Sequence, residues 1–102
     1  MSTSPITRRV TVRNPEGLHA RPADLLVRVA SKFQSNIQIG KDGELVDCKS
    51  ILSLLTLGAA QGTELMVSVI GDDAQDALES IVTLFDAGFD ESNGMQGAVI
   101  DS

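Results

Sequence analysis

Four short apolar-polar alternations and three helical repeats divide the chain. From Ile6 to Arg13 the side chains alternate: Ile6, Val10 and Val12 fall on one face, Thr7, Arg9, Thr11 and Arg13 on the other. That period marks a half-buried strand, and only Arg8 breaks it. Asn14-Pro15-Glu16-Gly17 is a turn. Ala20 to about Lys32 repeats Ala23, Leu26, Val27 and Ala30 at helical spacing. Pro22 fits only the first turn of that helix, where a missing N–H costs nothing, so the helix must begin near His19–Ala20. Asn36–Gly40 is a strand with Ile37 and Ile39 on one face. Lys41-Asp42-Gly43 is a hairpin turn, and Glu44–Cys48 is the return strand, too short to show which face is inward. Ser50 is a good N-cap for a short helix, Ile51–Leu57, closed by Gly58. Thr63–Ile70 is a strand with Leu65, Val67 and Val69 inward. Asp72 or Asp73 is placed to cap a last helix, Ala74 to about Ala87, with Leu78, Ile81 and Phe85 as its apolar stripe and Gly88 as its stop. The order β-α-β-β-α-β-α predicts an α+β fold of two layers, one sheet with helices on one face. Residues 90–102 show no period and read as a flexible tail, which leaves 1–89 as a single domain.

Length and composition refine this picture. At 102 residues with a hydrophobic content of 42%, the chain has material for one modest core. With three Phe and neither Trp nor Tyr, that core must be mainly aliphatic. No apolar run approaches the roughly 20 residues of a membrane helix, and no secretion signal is evident. The single cysteine, Cys48, cannot close an internal disulfide, so a soluble cytoplasmic protein is expected. A net charge of −6 argues against nucleic acid as a partner. The charge is uneven: residues 1–35 hold six Arg/Lys against two acids, and the remainder two Lys against twelve acids. A basic N-terminal part suits docking to something anionic.

The candidate chemistry centres on the one histidine. A lone histidine is more often structural or merely exposed, but Gly17-Leu18-His19-Ala20-Arg21-Pro22 sets His19 at a helix entrance. There the first N–H groups lack helical partners and the dipole is positive, which attracts phosphate. Arg21 adds a permanent cation with a forked donor set. An imidazole beside a phosphate cradle is the minimum kit for a transient phosphohistidine. Phosphoryl transfer needs mainly positioning and charge stabilisation, and no cofactor is called for. Competing uses of His19 are weak. Cys48 is the only other soft ligand and no metal-ligand spacing exists; there is no Gly-x-Ser-x-Gly, no second histidine as base, and no nucleotide-binding phosphate loop. Ser50 reads first as a helix cap. A helix N-terminus also tolerates an added phosphate, and the apolar Ile51, Leu52 and Leu55 beside Lys49 cannot all face inward on so short a helix, which suits a protein partner.

Two segments carry a family resemblance over about residues 5–88. Asn14-Pro15-Glu16-Gly17-Leu18-His19-Ala20-Arg21-Pro22-Ala23 resembles the active-site signature of HPr, the histidine-containing phosphocarrier of the bacterial phosphoenolpyruvate-dependent sugar phosphotransferase system. Cys48-Lys49-Ser50-Ile51-Leu52-Ser53-Leu54-Leu55-Thr56-Leu57-Gly58 is similar to the family's serine-site segment, and Gln61-Gly62-Thr63 and Gly71-Asp72-Asp73-Ala74 follow at the expected distances. The resemblance implies an open-faced β-sandwich with an antiparallel sheet in strand order 1-4-2-3. It implies that His19 takes a phosphoryl group from enzyme I on Nδ1 and passes it to an enzyme II A component, with Arg21 steadying the group. Ser50 would be a regulatory site for an ATP-using HPr kinase/phosphorylase, able to create a docking surface for a transcription regulator. Ala20, Arg28, Lys49, Ile51, Leu52 and Leu55 would form the partner-binding face, and the protein would be a monomer. The alternative is a regulatory module of a nitrogen-type or incomplete phosphotransferase chain, acting through partner binding and Ser50. The segment beyond Gly88 is longer than is usual in the family.

Overall fold

The computed structural model describes residues 4–41 and 43–89. The elements are β1 (Ile6–Thr11), α1 (Ala20–Ala30), β2 (Asn36–Lys41), β3 (Glu44–Asp47), α2 (Ile51–Thr56), β4 (Glu64–Ile70) and α3 (Ala74–Asp86). All pairings are antiparallel, in the order β1-β4-β2-β3. The expected α+β architecture is present: three helices cover one face of a four-stranded open sheet. The expected tail, 90–102, and Asp42 of the hairpin turn lie outside the described residues.

The sheet's inner face is the aliphatic set predicted by the alternations. Val10, Ile37, Ile39, Leu65, Val67 and Val69 are all buried. Register puts Ile37 opposite Val69 and Ile39 opposite Val67, so branched side chains pair across the central strands. Against them α1 presents Ala23, Leu26 and Ala30, and α3 presents Ala77, Leu78, Ile81 and Phe85. α3 lies against β1 and β4, while α1 packs beside α2 and α3 with Leu26 fully buried. Arg8, which interrupts the β1 pattern, is exposed. β1 is an edge strand, and a charge there opposes pairing with another chain's edge. β3 also becomes readable: Val46 sits opposite Ile39 of β2, on its inner face, which leaves Leu45 on the open face opposite Gly40.

One capping expectation is corrected. Asp73 occupies the N-cap of α3, but its side chain makes no capping hydrogen bond. Its carboxylate instead accepts from the backbone N–H of Gln34 at 2.9 Å, from the N–H of Ser35 at 3.0 Å, and from the Ser35 hydroxyl. It therefore ties the loop after α1 to the start of α3, because three donors of a loop outcompete the helix's own amides for one carboxylate. These hydrogen bonds, the Ser35 hydroxyl first, hold the Asp73 carboxyl below its ordinary range. A lowered folded-state value means stability that is present above the unfolded pKa and is lost as pH falls through the folded one. Melting temperature should therefore fall as the pH drops through and below the ordinary carboxylate range, and Asp73→Asn should flatten that fall. A thermal melt series across this range checks it; parallel curves for the two proteins would contradict the assignment.

Cys48, at the end of the β3 segment, is fully buried, and burial together with the neighbouring Asp47 pushes its thiol up to about 12. A thiol held protonated inside a core is inert. Iodoacetamide at about pH 8 should leave the folded protein unmodified and alkylate it stoichiometrically in urea. Intact mass reads both states, and rapid alkylation of the folded form would count against this packing.

Candidate functional site

His19 is the N-cap of α1, in extended conformation at φ −90° and ψ −162°. The helix ladder begins with the Ala23 N–H donating to the His19 carbonyl at 2.9 Å. The N–H groups of Ala20 and Arg21 therefore have no acceptor within the helix, and Pro22 has none to donate. The His19 ring does not cap them, and no acid stands in the first turn of α1. The result is a positive helix end at which an anion meets donors and no opposing carboxylate of the helix's own first turn. Ala20 and Arg21 are exposed, while Pro22 and Ala23 are buried and hold this end of the helix to the core.

The approach to His19 is a built turn. The Gly17 N–H donates to the Asn14 carbonyl at 3.1 Å, and the Asn14 side-chain amide donates back to the Gly17 carbonyl. Asn at the first position, Pro at the second and Gly at the fourth are the residues a type I turn favours. The turn is strapped to the loop after α2: the Leu18 N–H donates to the Ala59 carbonyl at 2.8 Å, and Gly62 and Gln61 donate to the carbonyls of Val12 and Arg13. Gly17 has φ +78°, and a Cβ there would stand 2.6 Å from the Ala59 carbonyl oxygen. Only glycine fits, so the loop can approach the strap closely. Leu18 is buried, and His19 emerges beside it with its side chain 38% exposed. Its Nε2 lies 2.9 Å from a carboxylate oxygen of Glu16. This contact was not foreseen from the sequence; a carboxylate three positions before the histidine, inside a turn, is the feature that foreshadows it.

Ser50 caps α2 as expected, its hydroxyl accepting from the Ser53 N–H at 3.2 Å. On α2, Leu54 is the buried residue, whereas Leu52 and Leu55 are 73% and 39% exposed and Ile51 is half-buried. The two leucines thus form the exposed aliphatic patch that the short helix predicted. The two cations expected beside it are both engaged. Arg28 Nε pairs with Asp24 at 2.9 Å along α1, and Lys49 Nζ donates to the Phe33 carbonyl at 2.7 Å, just beyond the end of α1. Arg28 remains exposed; Lys49 is half-buried and anchors the serine segment to the end of α1.

A β-α-β-β-α-β-α fold with a histidine at the N-cap position of its first helix matches a phosphocarrier family on comparison with known proteins. The family model described as the PTS HPr component phosphorylation site matches residues 6–87. The phosphocarrier protein HPr of Xylella fastidiosa (strain Temecula1 / ATCC 700964) is 40% identical over 86 residues, covering 84% of this chain and 97% of that protein. The crystal structure of HPr from Thermoanaerobacter tengcongensis superposes with a TM-score of 0.79 at 40% identity, covering 82% of this chain and 94% of that one. That of Crh, a catabolite repression protein of Bacillus subtilis described as a domain-swapped dimer, gives a TM-score of 0.66 at 38% identity, with 81% and 95% covered. The chain belongs to the HPr phosphocarrier family of the phosphotransferase system.

Proposed function

We propose that residues 1–89 act as a monomeric phosphocarrier, accepting a phosphoryl group from phospho-enzyme I on Nδ1 of His19 and passing it to an enzyme II A component during sugar uptake. The observation that carries this reading is the position of His19 as a non-capping N-cap, beside the Ala20 and Arg21 amides that have no helical acceptor. The imidazole supplies the nucleophile; the amides, the helix dipole and Arg21 take up the charge of the phosphoryl oxygens. In this reading the chain is consumed and regenerated as a carrier and does not itself turn over a substrate. Its partners dock on Ala20, Arg28, Lys49, Ile51, Leu52 and Leu55. Exposed leucines beside a basic stretch suit an acidic surface with an apolar centre.

A second reading draws on the likeness to Crh and on Ser50. Ser50 stands at the N-cap of α2, next to Leu52 and Leu55. A phosphate placed there by an ATP-using kinase adds about −1.5 to −2 charge to the docking face. It would oppose an acidic partner and favour a regulator that carries arginines. In that case the chain signals by binding, within a nitrogen-type or incomplete phosphotransferase chain.

A chase experiment separates the two. The protein is loaded with labelled phosphoryl groups by enzyme I and phosphoenolpyruvate, then mixed with an enzyme II A component. Rapid movement of label to the acceptor is the result expected of the carrier. Label retained on this chain by every sugar-type acceptor from the same cell would favour the regulatory reading.

A further inference from the structure

We propose that Glu16 is a positioning residue for His19: its carboxylate accepts the Nε2–H and so fixes the ring tautomer that leaves the Nδ1 lone pair available. The inference rests on the carrier reading, in which Nδ1 is the attacking atom. It starts from the 2.9 Å approach of Glu16 Oε1 to His19 Nε2. An ionised carboxylate can only accept, so the nitrogen it faces must bear the proton. In the neutral ring the other nitrogen is then unprotonated and nucleophilic.

The contact is prepared by the backbone. The Asn14–Gly17 turn is closed by two hydrogen bonds, and the next residue is pinned to Ala59. These bonds fix where Glu16 leaves the chain and where His19 enters the helix. The carboxylate meets the Nε2 edge of the ring, and the Nδ1 edge is left to the phosphoryl group. The arrangement matches the use of a carboxylate to orient a catalytic imidazole in hydrolytic triads.

The chemistry gives the carboxylate a second effect. When the Nδ1 lone pair forms its bond to phosphorus, the donor's phosphohistidine P–N bond breaks and that electron pair leaves with the donor imidazole. The proton on Nε2 of His19 stays in place, so the ring becomes cationic as the bond forms. Glu16 faces that developing charge. On transfer to the acceptor the Nδ1–P bond breaks, its electron pair returns to Nδ1, and the ring is again neutral with Nε2 protonated. No proton has to enter or leave the ring in either direction. The carboxylate is 78% exposed on its side chain, so solvent screens it and its effect is modest.

The test compares the full-length protein with Glu16→Ala and Glu16→Gln. Long-range 1H–15N correlation spectra of the imidazole at about pH 9, above the ordinary histidine range, report which nitrogen carries the proton. The native ring should be almost wholly Nε2-protonated, and Glu16→Ala should raise the Nδ1-protonated share. Glu16→Gln, whose amide oxygen still accepts, should keep the native tautomer. In loading by phospho-enzyme I, Glu16→Ala should lower the maximal rate about fivefold with little change in half-saturating concentration. Glu16→Gln should fall between, keeping an acceptor oxygen at this position and losing the charge. An unchanged tautomer in Glu16→Ala, or an effect confined to the half-saturating concentration, would overturn the proposal. Failure of the native protein to load would remove the carrier reading instead, and the spectra distinguish the two failures because they require no phosphoryl transfer.

Discussion

Gly17→Ala should destabilise the protein by about 2–4 kcal/mol and slow phosphoryl acceptance about 100-fold. Both effects have the same origin. At φ +78° an L side chain is strained by about 1–2 kcal/mol. The added Cβ would also stand 2.6 Å from the Ala59 carbonyl oxygen and 3.1 Å from the Ala60 Cα, both backbone atoms that cannot swing aside. The strap must move away, and the 2.8 Å hydrogen bond from Leu18 N–H to Ala59 is lost with it, at about 1 kcal/mol. His19 is two residues on, so a displaced loop moves the imidazole relative to the α1 amides. A shift of about 1 Å in a reacting group is enough for a 100-fold loss. Urea unfolding followed by circular dichroism gives the stability, and the loading rate is taken at a temperature where both proteins are folded. Native stability in the variant would mean that the Ala59 strap is not the constraint described above.

Phe85→Ala should have the largest effect on the fold itself, about 3–5 kcal/mol. Phe85 is fully buried on α3 and meets Phe89 edge to face, with ring centroids 4.9 Å apart. Among the described residues these are the two buried aromatic rings; Phe33 is half-buried. The remaining core is aliphatic and close-packed, so it cannot collapse to fill the space. For a domain of this size each kcal/mol moves the melting temperature by about 4–8 °C, so a fall of about 12–40 °C is expected. A shift of only a few degrees would show that α3 is less firmly docked than its burial indicates.

Much of the site was legible in the sequence because one residue constrained it. Pro22 can occupy only the first turn of α1, and that alone placed His19 at the helix entrance with the Ala20 and Arg21 amides beside it. That Ile51, Leu52 and Leu55 could not all face inward was legible from the shortness of the helix; which of them are exposed was not, and the structure buries Leu54 and leaves Leu52 and Leu55 out. Other features depended on tertiary approach. Asp73 looked like a helix cap because a local reading cannot know that Gln34 and Ser35 will be brought to it from 38 or 39 residues away. Lys49 has a structural contact that the sequence did not reveal: the end of α1 comes within reach of it and its Nζ binds the Phe33 carbonyl. Phe89, past the Gly88 stop, carried no signal of its own in the sequence; a reversed backbone at φ +54° turns it back onto Phe85. The Arg28–Asp24 pair, by contrast, follows from simple i,i+4 spacing and could have been read directly.

His19 is the proposed carrier of the phosphoryl group. The most direct measurement is intact mass at alkaline pH after mixing the protein with enzyme I, Mg²⁺ and phosphoenolpyruvate, with His19→Ala beside it. The predicted result is the gain of one phosphoryl group, lost on acid treatment and absent from the variant. No gain with a cognate enzyme I, or an equal gain in His19→Ala, would contradict the claim.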